Sequence, residues 1–220
     1  SIWTHSARRV SLAAMIWSWL SERRRRAVLA EPFPDAWHRY LRRNVAHVAA
    51  LDPEELARLQ QLVQVFVAEK RWEGVGGLQM TEEIQATIAA QACLLILGLD
   101  HDMYRRVESI VVYPSTVYAP KPVQSMFAVT QDVVTGPMPV LGQAFARGPV
   151  ILVWDAVKAG GINPSDGHNV VYHEFAHKLD MLSGGADGVP PLDDTETYQR
   201  WIAVFEREYQ ALARASAQGQ

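Results

Sequence analysis

Apolar and polar positions change rhythm about half-way along the chain. In the first half, apolar residues recur every three to four positions, the spacing that places them on one face of a helix. Pro34-Asp35 leads into such a stretch from Ala36 to about Val48. Asp52-Pro53-Glu54-Glu55 then combines an N-cap residue, a proline at the first helical position and a glutamate at the third, which marks a helix start. The helix it opens carries Leu56, Leu59, Leu62, Val63, Val65, Phe66 and Val67. Arg71 to Gly77 is expected to break it. Thr81 is expected to cap a third helix through an alanine- and leucine-rich run to about Gly98.

Beyond Gly98 the apolar residues gather into short continuous runs bounded by Gly, Pro and Asp. Ser109 to Tyr113, Gln124 to Thr130, Pro139 to Phe145 and Pro149 to Trp154 read as strands. The last is continuously apolar, as in a strand covered on both faces. Gly160-Gly161 and Pro164-Ser165-Asp166-Gly167 are expected to form a loop. A helix should follow from about His168 to Leu182, with Ser165 or Asp166 as its cap and Gly184-Gly185 as its stop. A final amphipathic helix begins near Asp194, its stripe marked by Trp201, Phe205, Tyr209 and Leu212. Helices, then strands, then helices predict an α+β fold.

Composition narrows the class. With 220 residues and 49% of them apolar, the chain can bury a sizeable core as one domain, or one domain with a small appendage. A net charge of −3 gives no electrostatic footprint for nucleic acid, so no direct nucleic-acid partner is expected. Cys93 is the only cysteine, which excludes an internal disulfide and a thiolate zinc cluster and fits a reducing, cytoplasmic compartment. Residues 10–20 form an apolar run between Arg8-Arg9 and the run Arg23 to Arg26. It falls short of the roughly 20 apolar residues that a spanning helix needs, so no stable membrane insertion is expected. Ser21-Glu22 before four arginines is also a poor signal-peptide cleavage site. Residues 1–30 therefore read as a disordered or amphipathic leader, and residues 31–105 as a helical part.

The chemistry lies in His173-Glu174-Phe175-Ala176-His177. Residues four apart on a helix lie one above the other, so His173 and His177 project side by side. Two imidazoles so placed can reach one tetrahedral metal at about 2.0–2.1 Å. Glu174 points about a quarter turn away, where it can meet a metal-bound water rather than the metal, the position of a general base. Zinc lowers the pKa of such a water to about 7 and polarises a scissile carbonyl. Val170, Val171, Phe175, Ala176 and Leu179 are expected to bury the helix around this site. Asp180 lies on the same side as His177 and suits a role as hydrogen-bond partner to a ligand histidine, orienting its ring. The other histidines show no ligand spacing and read as surface or satisfied polar residues.

The run Val171-Tyr172-His173-Glu174-Phe175-Ala176-His177-Lys178-Leu179-Asp180, followed by Gly188-Val189-Pro190, resembles the Mlc titration factor A family of bacterial zinc-dependent peptidases. The Leu51 to Trp72 helix, Val112-Tyr113-Pro114 and Gly148 to Leu152 fall in the matching order. The resemblance implies a zincin-like catalytic part related to that of anthrax lethal factor, here residues 106–220. It implies a cytoplasmic, aminopeptidase-like enzyme that binds Zn2+ and acts on a peptide substrate. It also implies binding to Mlc, the repressor of glucose-uptake genes; a regulator that binds the repressor without catalysis is the alternative. His173 and His177 become zinc ligands and Glu174 the base. The family's third ligand is a glutamate in an Asp-Pro-x-Glu-x-Phe-Ala type segment, and nothing after His177 matches it. The catalytic part is thus expected to be incomplete at its C-terminus, with the third ligand beyond Gln220.

Overall fold

The computed structural model describes residues 12–99, 101–115, 148–182, 192 and 194–218. The chain divides into two compact units, Ser1–Lys178 and Leu179–Gln220. The first is mostly helical around a small parallel sheet. Its elements in order are α1 (Leu12–Ala30), α2 (Asp35–Asn44), a 3₁₀ turn (Ala46–Ala50), α3 (Pro53–Glu69), β1 (Arg71–Gly74), α4 (Glu82–Leu94), a second 3₁₀ turn (His101–Tyr104), β2 (Ser109–Tyr113), β3 (Val150–Val153), α5 (Trp154–Ile162) and α6 (Val170–Asp180). The second unit contains α7 (Thr195–Ala217), capped by Asp194, whose side chain accepts from the Thr197 amide at 2.7 Å. Among the described residues no helix is long and apolar enough to cross a membrane.

The start signal read at Asp52 is realised atom for atom. Asp52 Oδ1 accepts from the amides of Glu54 (2.8 Å) and Glu55 (2.9 Å), while Glu55 returns a carboxylate oxygen to the Asp52 amide at 3.0 Å. From that start α3 buries Leu59, Leu62, Val63, Val65 and Phe66. Its outer side meets α1, where Arg24 donates to the Ala68 carbonyl and Arg25 pairs with Glu69 and Asp102. Thr81 caps α4 through the Ile84 amide. The helix ends at Leu94, four residues before the expected Gly98. There Leu95, Ile96 and Leu97 donate to carbonyls three residues back, the tighter bonding that closes a helix.

The sheet corrects one expectation. Arg71 to Gly77 does more than interrupt a helix: its first four residues form β1, parallel to β2 with Trp72 opposite Ile110. A four-residue, half-polar strand carries no readable period; pairing with β2 supplies it. β2 pairs in turn with β3, Ile110 opposite Val150 and Val112 opposite Leu152, and all four side chains are buried. The strand order β1-β2-β3 is parallel throughout, and the fold is mixed α/β with strands interleaved between helices. Trp154 begins α5 instead of ending β3. The strands read at 124–130 and 139–145 lie outside the described residues.

The core is built round α4, where Ala86, Ala89, Ala90 and Ala92 have no exposure and let neighbouring helices approach closely. Gly160 and Gly161, expected in a loop, are the last turn of α5. A Cβ on Gly161 would lie 2.3 Å from the Asn44 carbonyl of α2 and 2.9 Å from Gln91 Nε2 of α4. The glycines mark a helix crossing too close for any side chain. Gly161→Ala is therefore expected to cost more than about 2 kcal/mol by overpacking. Asp52→Ala, which removes an exposed cap, should cost only about 1 kcal/mol. Urea denaturation of both variants checks this; a Gly161→Ala cost no larger than that of Asp52→Ala would refute the close crossing.

Candidate metal centre

The helix α6 starts where Asn169 stops it from unravelling. The Asn169 side-chain oxygen accepts from the Tyr172 amide at 2.9 Å, and its carbonyl accepts from the His173 amide at 3.0 Å. Asn169 is thus the cap, in place of Ser165 or Asp166. Asp166 serves the preceding loop instead, accepting from the His168 amide and from Asn163 Nδ2. The signal was available in sequence, since an asparagine stands directly before the first apolar helical residue.

Burial splits α6 into two faces. Val171 and Phe175 have no exposure, and Phe175 packs against Phe66 (ring centroids 5.7 Å apart) and Tyr104 (4.9 Å). Glu174 belongs to this inner face at 5% exposure, whereas His173, Ala176 and His177 are exposed. The expectation that Ala176 would help to bury the site is corrected: the face that carries the two histidines is open, and the glutamate is what the helix buries. Asp180 is the last residue of α6 and is half-buried.

The His173 and His177 rings stand nearly perpendicular, with their Nε2 atoms 3.2 Å apart. Two nitrogens bound to a tetrahedral metal at 2.0–2.1 Å should lie about 3.3 Å apart, the edge of that tetrahedron. The spacing of the pair matches that edge. Burial, and then the neighbouring His177, pull the His173 pKa down, which favours the neutral, ligating form. The Glu174 carboxyl is pushed up to about 7, mainly by burial and against the pull of Lys178. Its Oε1 is buried without a hydrogen-bond partner. A buried carboxylate oxygen without a partner is costly to keep, and such a group calls for a reason beyond packing. Among the described residues no group of three or more His, Cys, Asp or Glu side chains could hold a metal.

Beside His173 opens a cleft of about 440 Å³, lined by His47, His168, Asn169, Tyr172, Ala176 and the backbone around Gly160, among others. Tyr172 Oη lies 3.3 Å from His47 Nδ1, and His168 Nδ1 donates to the Asp166 carbonyl at 2.7 Å. His47, read from sequence as a surface or satisfied polar residue, is brought here by the fold from 125 positions away, while His168 is exposed, as read, and lies just before the cap of α6.

Comparison with known sequences agrees with this geometry. The sequence profile described as glucose-regulated metallo-peptidase M90 matches residues 19–220. The chain belongs to that family. A Synechocystis protein designated slr2042 is 34% identical over 207 residues, 92% of this chain and 74% of that protein. Mlc titration factor A of Yersinia pestis and that of Yersinia pseudotuberculosis are each 29% identical over 193 residues, 87% of this chain and 65% of theirs. The chain thus spans just under two thirds of the length of these two relatives.

The raised Glu174 pKa has a sign that can be measured in the metal-free chain. Between about 4.5, its ordinary value, and about 7, the folded chain keeps a proton that the unfolded chain has lost. Stability therefore falls as pH rises through that window and stays lower above it. Glu174→Gln, neutral at every pH, should be more stable than the parent at pH 8 by on the order of 2 kcal/mol, with the gap closing below pH 4.5. Thermal melts with chelator across this range decide it; a gap that widens on acidification would contradict the assignment.

Proposed function

We propose that this chain is a zinc-dependent, aminopeptidase-like M90 peptidase in which His173 and His177 hold the metal and Glu174 is the general base. The observation that carries the reading is the His173–His177 Nε2 pair at tetrahedral-edge spacing, on the same helix that buries Glu174 with its Oε1 unpartnered. Zinc, when bound, supplies a Lewis acid that polarises a carbonyl and acidifies water. The chain's own residues do the rest. His173 and His177 present their Nε2 lone pairs from an exposed helix face, open to a peptide. Glu174 receives a proton at Oε1 and passes it to the leaving amine. A carboxyl poised near 7 both accepts and releases a proton at neutral pH. The cleft beside His173, walled by Tyr172 and His47, gives the peptide chain a place to lie. Asp180 orients His177, and a third protein ligand comes from outside the described residues. The architecture we assign to the catalytic part, residues 106–220, is zincin-like, akin to the lethal factor catalytic domain. It follows a helical part at 31–105, against which residues 12–30 of the expected leader lie as helix α1, and the enzyme works in the cytoplasm.

The name of the Yersinia relatives, Mlc titration factor A, supports a second activity, binding to the Mlc repressor. That activity needs no catalysis, and it would remain if hydrolysis were lost.

Glu174→Gln separates the two. Hydrolysis of a chromogenic aminoacyl substrate should fall at least about a hundredfold, the usual contribution of a general base. Zinc content and repressor binding should stay at parent levels, while His173→Ala and His177→Ala should lose the zinc. Hydrolysis that survives Glu174→Gln would sink the proposed mechanism; zinc that survives both histidine variants would sink the ligand assignment.

A further inference from the structure

The polar atoms that anchor the start of α6 are supplied from α4, far away in sequence. Asn169, besides capping α6 with its oxygen, donates from Nδ2 to Gln91 Oε1 at 2.8 Å and to the Gly160 carbonyl at 3.1 Å. Gln91 has no exposure. Its own amide nitrogen lies within hydrogen-bond reach of the Val157 carbonyl of α5 (3.3 Å) and the Thr87 carbonyl (3.4 Å). Both ends of the side chain are therefore used, and together they join α4, α5 and α6. A fully buried amide is costly when unpaired, and a leucine would fill the same space more cheaply if volume were all that mattered. The absence of a Cβ at Gly161 leaves the room in which Gln91 Nε2 sits. What the link fixes is the first turn of the metal helix, including the backbone amide of His173 itself.

We infer that Gln91 is a positioning residue for the metal pair: through Asn169 it sets the rotation and register of α6, so that the two Nε2 atoms stay at ligand spacing. The inference rests on the reading of His173 and His177 as ligands.

Two variants of the full chain isolate the link. Gln91→Met keeps the volume and removes both ends. Asn169→Asp keeps the capping oxygen but replaces the donor that reaches Gln91 and Gly160. In the metal-free chain, exchange of the Tyr172 and His173 amides should accelerate in both by at least about tenfold beyond any global change. Zinc affinity should fall about tenfold in each, as for other residues that hold a ligand in place. The double variant should be no worse than the weaker single one, because the same link is cut twice. Parent-like protection of those two amides in either variant overturns the inference. So does parent zinc affinity where protection is lost. Parent zinc affinity in His173→Ala overturns the metal reading itself, a result distinct from the other two.

Discussion

Phe175, pressed without exposure against Phe66 and Tyr104, decides which way α6 can face. Tyr104 is itself pinned, its hydroxyl donating to the Ala92 carbonyl at 2.8 Å. Large aromatic side chains dominate core energetics, and an edge-on contact such as that of Phe175 with Tyr104 fixes geometry as well as burial. Once Phe175 and Val171 are inside, helical periodicity leaves no choice for the rest. Residues 173, 176 and 177 must turn outward, and Glu174, adjacent to Phe175, must turn in. The exposed imidazoles and the buried carboxyl are thus two results of one packing decision.

That decision sets a direction but not a fine position. Apolar contact is tolerant of small slides along a helix axis, whereas hydrogen bonds are not. The amide link from Gln91 through Asn169 supplies this second constraint, and the glycine crossing of α5 against α2 and α4 leaves space for it. Core packing and polar tether act on the same eleven-residue helix from opposite requirements. The outcome is an open histidine face on a rigid support, the arrangement in which the proposed ligand pair would lose little on binding.

What could be read from sequence was what depends on local order. The capping box at Asp52, the strand from Ser109 to Tyr113, the amphipathic helix after Asp194 and the one-face placement of His173 and His177 each follow from spacing within a few residues. What could not be read depends on distant partners. β1 is a strand only because β2 lies beside it. Gly160-Gly161 looks like a loop until the Asn44 carbonyl and Gln91 are seen 2.3 and 2.9 Å from an added Cβ on Gly161. The Asn169–Gln91 contact spans 78 positions and has no local signature. Likewise His47 reaches Tyr172 across 125 positions, so its place in the cleft beside His173 is a property of the fold alone.

The most direct test of the account is X-ray absorption at the zinc edge of the zinc-loaded chain. Two imidazole nitrogens should appear in the first shell at about 2.0–2.1 Å, with the outer-shell scattering of histidine rings. That scattering should be reduced in His177→Ala and unchanged in Glu174→Gln. A first shell without imidazole, or one that His177→Ala leaves intact, would contradict the central claim that α6 presents a metal-binding pair.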